Sequence, residues 1–260
     1  MGKFHVLLQK VWRENSRNFK VLWIPLFFII FGVMEPLTNY YLPEIMKSVG
    51  NLPEGMEFVW PEFTGEEIFI SLLGQYQMIG ILVIVLAFMG SISGERKNGT
   101  ATLLYVRPIS FGQYYLSKWI VISGLVIISL FLGFLSAWYY IEILFSHVTF
   151  MQFLEFFAVY SLWMLFVVTV TLTCSAAFST GIAATLSLTI TLVFQVIDSI
   201  LGAYWSVSPW KLSTYATHTL NGTIENSSFW WSVFVTAILI FVLIVLGIYM
   251  LKKNASNVTI

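Results

Sequence analysis

Charge is what this sequence has least of. Only 10% of its 260 residues are charged and 58% are hydrophobic, against about 25% and about 45–50% in a soluble domain. So few charges cannot solvate that much apolar surface, which excludes an ordinary water-soluble globule. There is one cysteine, Cys174, so neither an intramolecular disulfide nor a cysteine-rich metal site can form. The three histidines, His5, His147 and His218, are scattered without the H-E-x-x-H spacing that holds a catalytic zinc. A nucleotide loop is missing as well. Gly94 and Gly99 stand five apart and Thr100 follows directly, so the lysine of G-x-x-x-x-G-K-[ST], the group that reaches the terminal phosphates, is absent. No paired nucleophile and base is visible in the apolar runs, which leaves an intramembrane hydrolase without support. The first apolar run follows a charged segment and has no small-residue cleavage motif, so it is expected to be retained rather than removed as a signal peptide. No enzyme activity, bound cofactor, metal or nucleic-acid partner is expected of the chain itself.

What the sequence has in abundance is apolar runs long enough to cross a bilayer, which takes about 20 residues for about 30 Å of hydrocarbon. Six such runs are expected, at about 21–41, 71–91, 119–140, 153–177, 182–202 and 229–251. The fold class is therefore an all-α integral membrane protein, a single transmembrane domain over 1–260. A tight hinge at Phe178-Ser179-Thr180-Gly181 joins the fourth run to the fifth.

The charges are few but strongly sorted. With the amino terminus inside, Lys3, Lys10, Arg13, Arg17, Lys20, Arg96, Lys97, Arg107, Lys118, Lys252 and Lys253 fall on the cytoplasmic side, and only Lys47 and Lys211 fall outside. That is the positive-inside bias, and it places both termini in the cytosol. Eight glutamates, Glu44, Glu54, Glu57, Glu62, Glu66, Glu67, Glu142 and Glu225, take the outer side. A net charge of zero conceals a polarised molecule.

Before the first span, Phe4, Leu7, Leu8, Val11 and Trp12 recur at helical spacing on one face of residues 1–20, with Lys3, Lys10, Arg13 and Arg17 around the others. Such a helix suits the membrane surface, with its aromatic side in the acyl boundary and its basic side toward anionic headgroups. The alternative is a helix packed on the chain's own loops. Outside, the loop 203–228 carries Trp205, Trp210 and Tyr215, rings that prefer headgroup level, and it is expected to lie at the outer interface, either as short re-entrant helices or as an ordinary anchoring belt.

The polar island from Ser93 to Lys118 contains Glu95, Arg96, Gly99, Thr100, Leu103, Leu104, Pro108, Ile109, Ser110 and Lys118. Thr100, Leu103 and Leu104 repeat at helical spacing, Pro108 ends that short helix, and Ser110 can cap the next one. In these residues the chain resembles the ABC-2 type permeases, whose signature after the second span is E-[KR]-x-x-G-T, a leucine pair, Pro-[VI]-Ser and a downstream lysine. Phe111 stands where the family usually has an arginine. The amphipathic helix, the six spans, the hinge and the membrane-level loop extend the likeness over nearly the whole chain.

The resemblance implies a bacterial exporter's membrane subunit that binds no ATP itself. Two permease chains, identical or homologous, would sit on two cytoplasmic ATPase subunits that carry ATP and magnesium. It further implies that Glu95, Arg96, Gly99, Thr100, Leu103, Leu104 and Pro108 belong to a cytoplasmic coupling helix between spans two and three, and that the amino-terminal helix also meets the ATPase. A transducer acting on an external partner is the other use of the same scaffold. Glu35, Gln195 and Asp198 lie inside the outer parts of spans. A carboxylate near mid-bilayer costs about 2.5–3.5 kcal/mol on insertion scales, so Glu35 and Asp198, with Gln195 one turn before Asp198, are candidates for translocation or gating unless they reach the outer interface.

Overall fold

The computed structural model describes residues 2–49, 63–99, 109–222 and 226–256, which form helices and no strand. Helix α1, Lys3–Arg17, buries Leu7, Val11 and Asn15 against the protein, half-buries Phe4 and Leu8, and leaves Trp12 exposed. The stripe expected to face lipid thus divides between the chain's own spans and the outside. Phe19, with a φ of 55°, turns the chain from α1 into α2, Lys20–Val49. That left-handed position usually favours glycine.

Six helices are long and apolar enough to cross a membrane. The first lies in α2, which contains Pro25, Pro36 and Pro43. Each proline removes one backbone donor, yet neighbouring helices hold the rod together. The second comprises α3, Gly65–Gln75, a π-helical turn at Tyr76–Gly80 and α4, Ile81–Phe88. After a four-residue turn comes the short α5, Ser93–Lys97. The third span is α6, Phe111–Leu144, and the fourth is α7, Phe150–Ala177. The fifth combines α8, Thr180–Leu188, a second π turn at Thr189–Val193 and α9, Phe194–Leu201. The loop between spans five and six holds α10, Lys211–Leu220, and the sixth span is α11, Asn226–Ser256.

At 1.5 Å per residue, α6 is about 51 Å long, well beyond a hydrocarbon layer of about 30 Å. Its first two turns, Phe111 to Lys118, precede the apolar run that starts near residue 119 and form a platform at the basic end.

The bundle is centred on α6 and α7. Phe134 of α6 meets Phe156 edge-on at 4.9 Å and Tyr160 at 5.5 Å, both from α7. Tyr76 in the first π turn lies 4.9 Å from Phe134 and donates its hydroxyl to Phe28 O at 2.5 Å. Spans one and three cross at glycines: a methyl on Gly133 would come within 2.8 Å of Phe28 Cβ, and one on Gly32 would overlap the Gly133 carbonyl. Lipid tails are as apolar as leucine, so such close backbone approach is how membrane helices gain attraction. The small polar residues of α7 serve the same packing. Thr169, Thr171 and Thr173 return their hydroxyls to carbonyls one turn back, and Thr169 and Thr173 also meet Trp119 and Tyr115 of α6.

Candidate functional site

The basic end of the bundle is a knot tied around Glu95. Its carboxylate accepts Lys118 Nζ at 2.9 Å and Lys10 Nζ at 3.0 Å on one oxygen, and the Tyr114 hydroxyl at 2.6 Å on the other. Tyr114 and Lys118 stand one helical turn apart on the α6 platform, so both reach the same point. Lys118 is 1% exposed and also donates to Ser91 O at 2.5 Å, with Glu14 of α1 at 3.7 Å. Two ammonium groups and two carboxylates thus balance in a cluster that joins α1, α5 and α6, with Lys118 and Glu95 buried and Lys10 and Glu14 partly exposed.

Arg96 faces the other way. One guanidinium nitrogen donates to Ala176 O at 2.8 Å and the other to Phe178 O. Asn254, near the end of α11, donates to Ala176 O at 2.9 Å and Ala177 O at 3.1 Å. A helix leaves its last four carbonyls without intrahelical partners, and here α7 receives them from two distant side chains. Ser175 completes the join: its hydroxyl accepts from Ile92 N and Ser93 N at 3.1 Å each and donates to Met89 O at 2.6 Å. Ser93 Oγ lies 2.9 Å from Thr180 Oγ1 at the start of α8. Lys20 Nζ adds a bond to Ala87 O at 2.5 Å. Spans two to five and α1 therefore meet at the turn following span two, with span one bonded just before it through Lys20 and span six bonded to the end of α7 through Asn254.

A cleft of about 850 Å³ opens beside this knot between α1 and the turn, lined by Lys10, Arg13, Glu14, Arg17, Gly94, Glu95 and Asn98 among others.

Of the residues expected to couple, Glu95 and Arg96 are thus engaged within the chain. Gly99 has a φ of 70°, the left-handed conformation that glycine permits. Thr100, Leu103, Leu104 and Pro108 lie outside the described residues. Ser110 does cap α6, accepting from Gln113 N at 3.2 Å. Lys10, Tyr114, Ser175 and Asn254 are members that sequence reasoning did not assign. The Tyr114–Lys118 spacing was a visible signal for one of them, whereas Asn254 offered none.

At the acidic end the intramembrane polar residues form two separate groups. Glu35, 7% exposed, accepts from Ser71 and Gln75 of α3 and from Asn39 Nδ2 at 3.2 Å. Asp198, 4% exposed, accepts Trp205 Nε1 at 2.7 Å and Ser208 Oγ at 3.1 Å, with Lys211 Nζ at 3.9 Å. Gln195 donates to Ser213 Oγ at 3.1 Å. Gln195 and Asp198 therefore both hold the loop before span six, while Glu35 pins span one to span two. The loop dips far inward. Trp210 donates its indole N–H to Ile190 O at 3.0 Å and stacks on Phe194, and α10 then climbs along α7 until Leu220 O meets Gln152 Nε2 at 3.1 Å.

Six helices long enough to cross a membrane, the helix α1 before them and a charged knot after the second are the features now in place. The family described as ABC-2 family transporter protein matches residues 6–255. The chain belongs to the ABC-2 family. It is also 33% identical over 253 residues to the uncharacterized transmembrane protein YxlG of Bacillus subtilis (strain 168), covering 96% of this chain and 97% of that one. ABC-2 membership makes the chain a multi-pass transporter protein of the permease type. Subunits of this family generally lack their own ATPase site and associate with separate ABC ATPases.

Proposed function

We propose that this chain is the permease subunit of an ATP-binding cassette exporter in the bacterial cytoplasmic membrane. Two permease chains stand on two ATPase subunits, which hold ATP and magnesium. The basic end and both termini face the cytosol, as the distribution of lysine and arginine favours. Closure of the ATPase dimer pushes on α1 and on the segment after Lys97, and the bundle rocks between inward and outward openings.

The observation that supports this reading is the Glu95 knot. Because Lys10, Lys118 and Tyr114 converge on one carboxylate while Arg96 holds the end of α7, a push on α1 or the turn reaches several spans at once. Glu95 and Arg96 act as internal linkage. Gly99, Thr100, Leu103, Leu104 and Pro108, with Trp12 of α1, supply the surface that the ATPase meets, and the neighbouring cleft receives its acidic side chains on Lys10, Arg13 and Arg17. At the far end, opening separates Glu35 from Ser71 and Gln75, so these groups act as the outer latch.

The test uses the permease reconstituted with its ATPase. Glu95→Gln and Arg96→Ala should retain ATPase binding but lower ATP-driven solute efflux by about tenfold, equivalent to about 1.4 kcal/mol on the barrier. Replacing residues 100–104 with glycine and serine should release the ATPase. Full efflux in both point variants would refute the linkage. ATP turnover that alters an external partner without moving solute would identify a transducer instead.

A further inference from the structure

The two halves of span five are held by different parts of the chain. The inner half, α8, buries Ala183, Ala184 and Ser187 and packs along α7. In the outer half, α9, Asp198 alone is buried, while Phe194, Val196, Ile200 and Leu201 are exposed. Among the described residues, the side-chain bonds that leave α9 end on 205–213. Gln195 donates to Ser213, and Asp198 accepts from Trp205 and Ser208 with Lys211 Nζ 3.9 Å away.

The π turn at Thr189–Val193 stands between these halves. It holds one residue more than an α-helical turn, so one carbonyl of the ladder loses its usual donor, and backbone groups away from water need a partner. Ile190 O lies in this turn and accepts the Trp210 indole N–H at 3.0 Å, from 20 residues further along the chain. The Trp210 ring is wedged at that depth, stacked on Phe194 at 5.3 Å and edge-on to Phe166 of α7 at 5.7 Å. The loop thus supplies the donor that the irregular turn calls for. If the indole leaves, the turn regains a full ladder by becoming α-helix. One more residue then enters the regular winding, and α9 rotates by about 100° and advances by about 1.5 Å.

We propose that Trp210 sets the register of span five. With its indole on Ile190 O, the π turn holds and Gln195 and Asp198 face the loop. When the loop withdraws, the turn closes to α-helix and carries both side chains away from Ser213, Trp205 and Ser208, so that withdrawal and rotation are one event. The switch needs neither the ATPase nor a transport direction, and it stands or falls apart from the permease reading.

Rotation is read by spin labels in nanodiscs, in a Cys174→Ala background. One label is placed at Met151, 64% exposed at the start of α7, and the other at Val196 or Ser199 on the exposed side of α9. Each pair should give one distance. Trp210→Phe keeps an aromatic ring and removes the N–H. It should raise the share of the turned register at least about tenfold, because a carbonyl is left unsatisfied. The sign is a second distance displaced by up to about 8 Å, the chord of about 100° on a helix about 10 Å across. Excising Val193, an exposed residue of the turn, makes the turn ordinary α-helix with no carbonyl to spare. Added to Trp210→Phe, the excision should return each pair to one population near the wild-type distance. Lost ring packing would not be repaired in this way. Unchanged distances in Trp210→Phe, or a second population that survives the excision, would overturn the proposal. Should Trp210→Phe alone not fold, recovery of folded protein on excision supports the proposal, and continued failure to fold overturns it.

Discussion

Lys118 carries an ammonium group into a site that is 1% exposed, where Glu95 and the Ser91 carbonyl receive it. Removing one partner of a buried ion pair strands the other charge, at a cost of about 3–5 kcal/mol. Glu95→Gln should therefore lower unfolding stability by about that much, as read from thermal unfolding in detergent. Adding Lys118→Met should restore most of the loss, because the stranded charge is then gone. The amino-acid sequence displays both residues within a recognisable signature, but it does not show their pairing. Charges in a polar loop read most simply as groups facing water or a partner, and the residue that completes the pair, Lys10, is 85 positions away from Glu95. Glu35 and Asp198 were legible as costly, since a carboxylate within an apolar run announces itself; that their partners are amides, hydroxyls, an indole and the Lys211 ammonium was not.

Helix starts and helix ends differ in how they are stabilised. The starts of α3, α6 and α7 are capped by Thr64, Ser110 and Thr149, each accepting from a backbone N–H three residues on. Such caps are local, and the one at Ser110 can be read directly from sequence. The end of α7 depends instead on Arg96 and Asn254, about 80 residues away on either side, and nothing near Ala177 foretells them. Arg96→Ala or Asn254→Ala should each cost about 1–2 kcal/mol by leaving carbonyls unsatisfied. Amide hydrogen exchange should rise across residues 174–182, while the outer half of α7 stays protected. Boundaries show the same division. The first span was expected to end near residue 41, but α2 continues to Val49 through Pro36 and Pro43. The helix of the third span begins at Phe111, as the Ser110 cap foretold, and runs through Tyr114 and Lys118 into the apolar run that starts near residue 119.

For the molecule as a whole, composition and run length were enough to give six spans, and charge sorting supplies the orientation that the proposed function uses. The arrangement of those spans around α6 and α7 was not legible, because membrane helices associate through shape and small-residue contacts rather than through a hydrophobic pattern. Asn98 is exposed beside the cleft, so Asn98→Cys in a Cys174→Ala background should react with an impermeant maleimide in inside-out vesicles and stay unlabelled in intact cells. Labelling from outside would reverse the topology and remove the basis for an ATPase partner. The two π turns, Tyr76–Gly80 and Thr189–Val193, each hold one residue more than a regular helix would use. Excising a single residue there should convert the turn to ordinary α-helix and leave both flanking faces correctly aimed. The same excision beside Phe134 would swing half of α6 by about 100°. Spans two and five are therefore where lineages of this protein can change length by one without losing their fold.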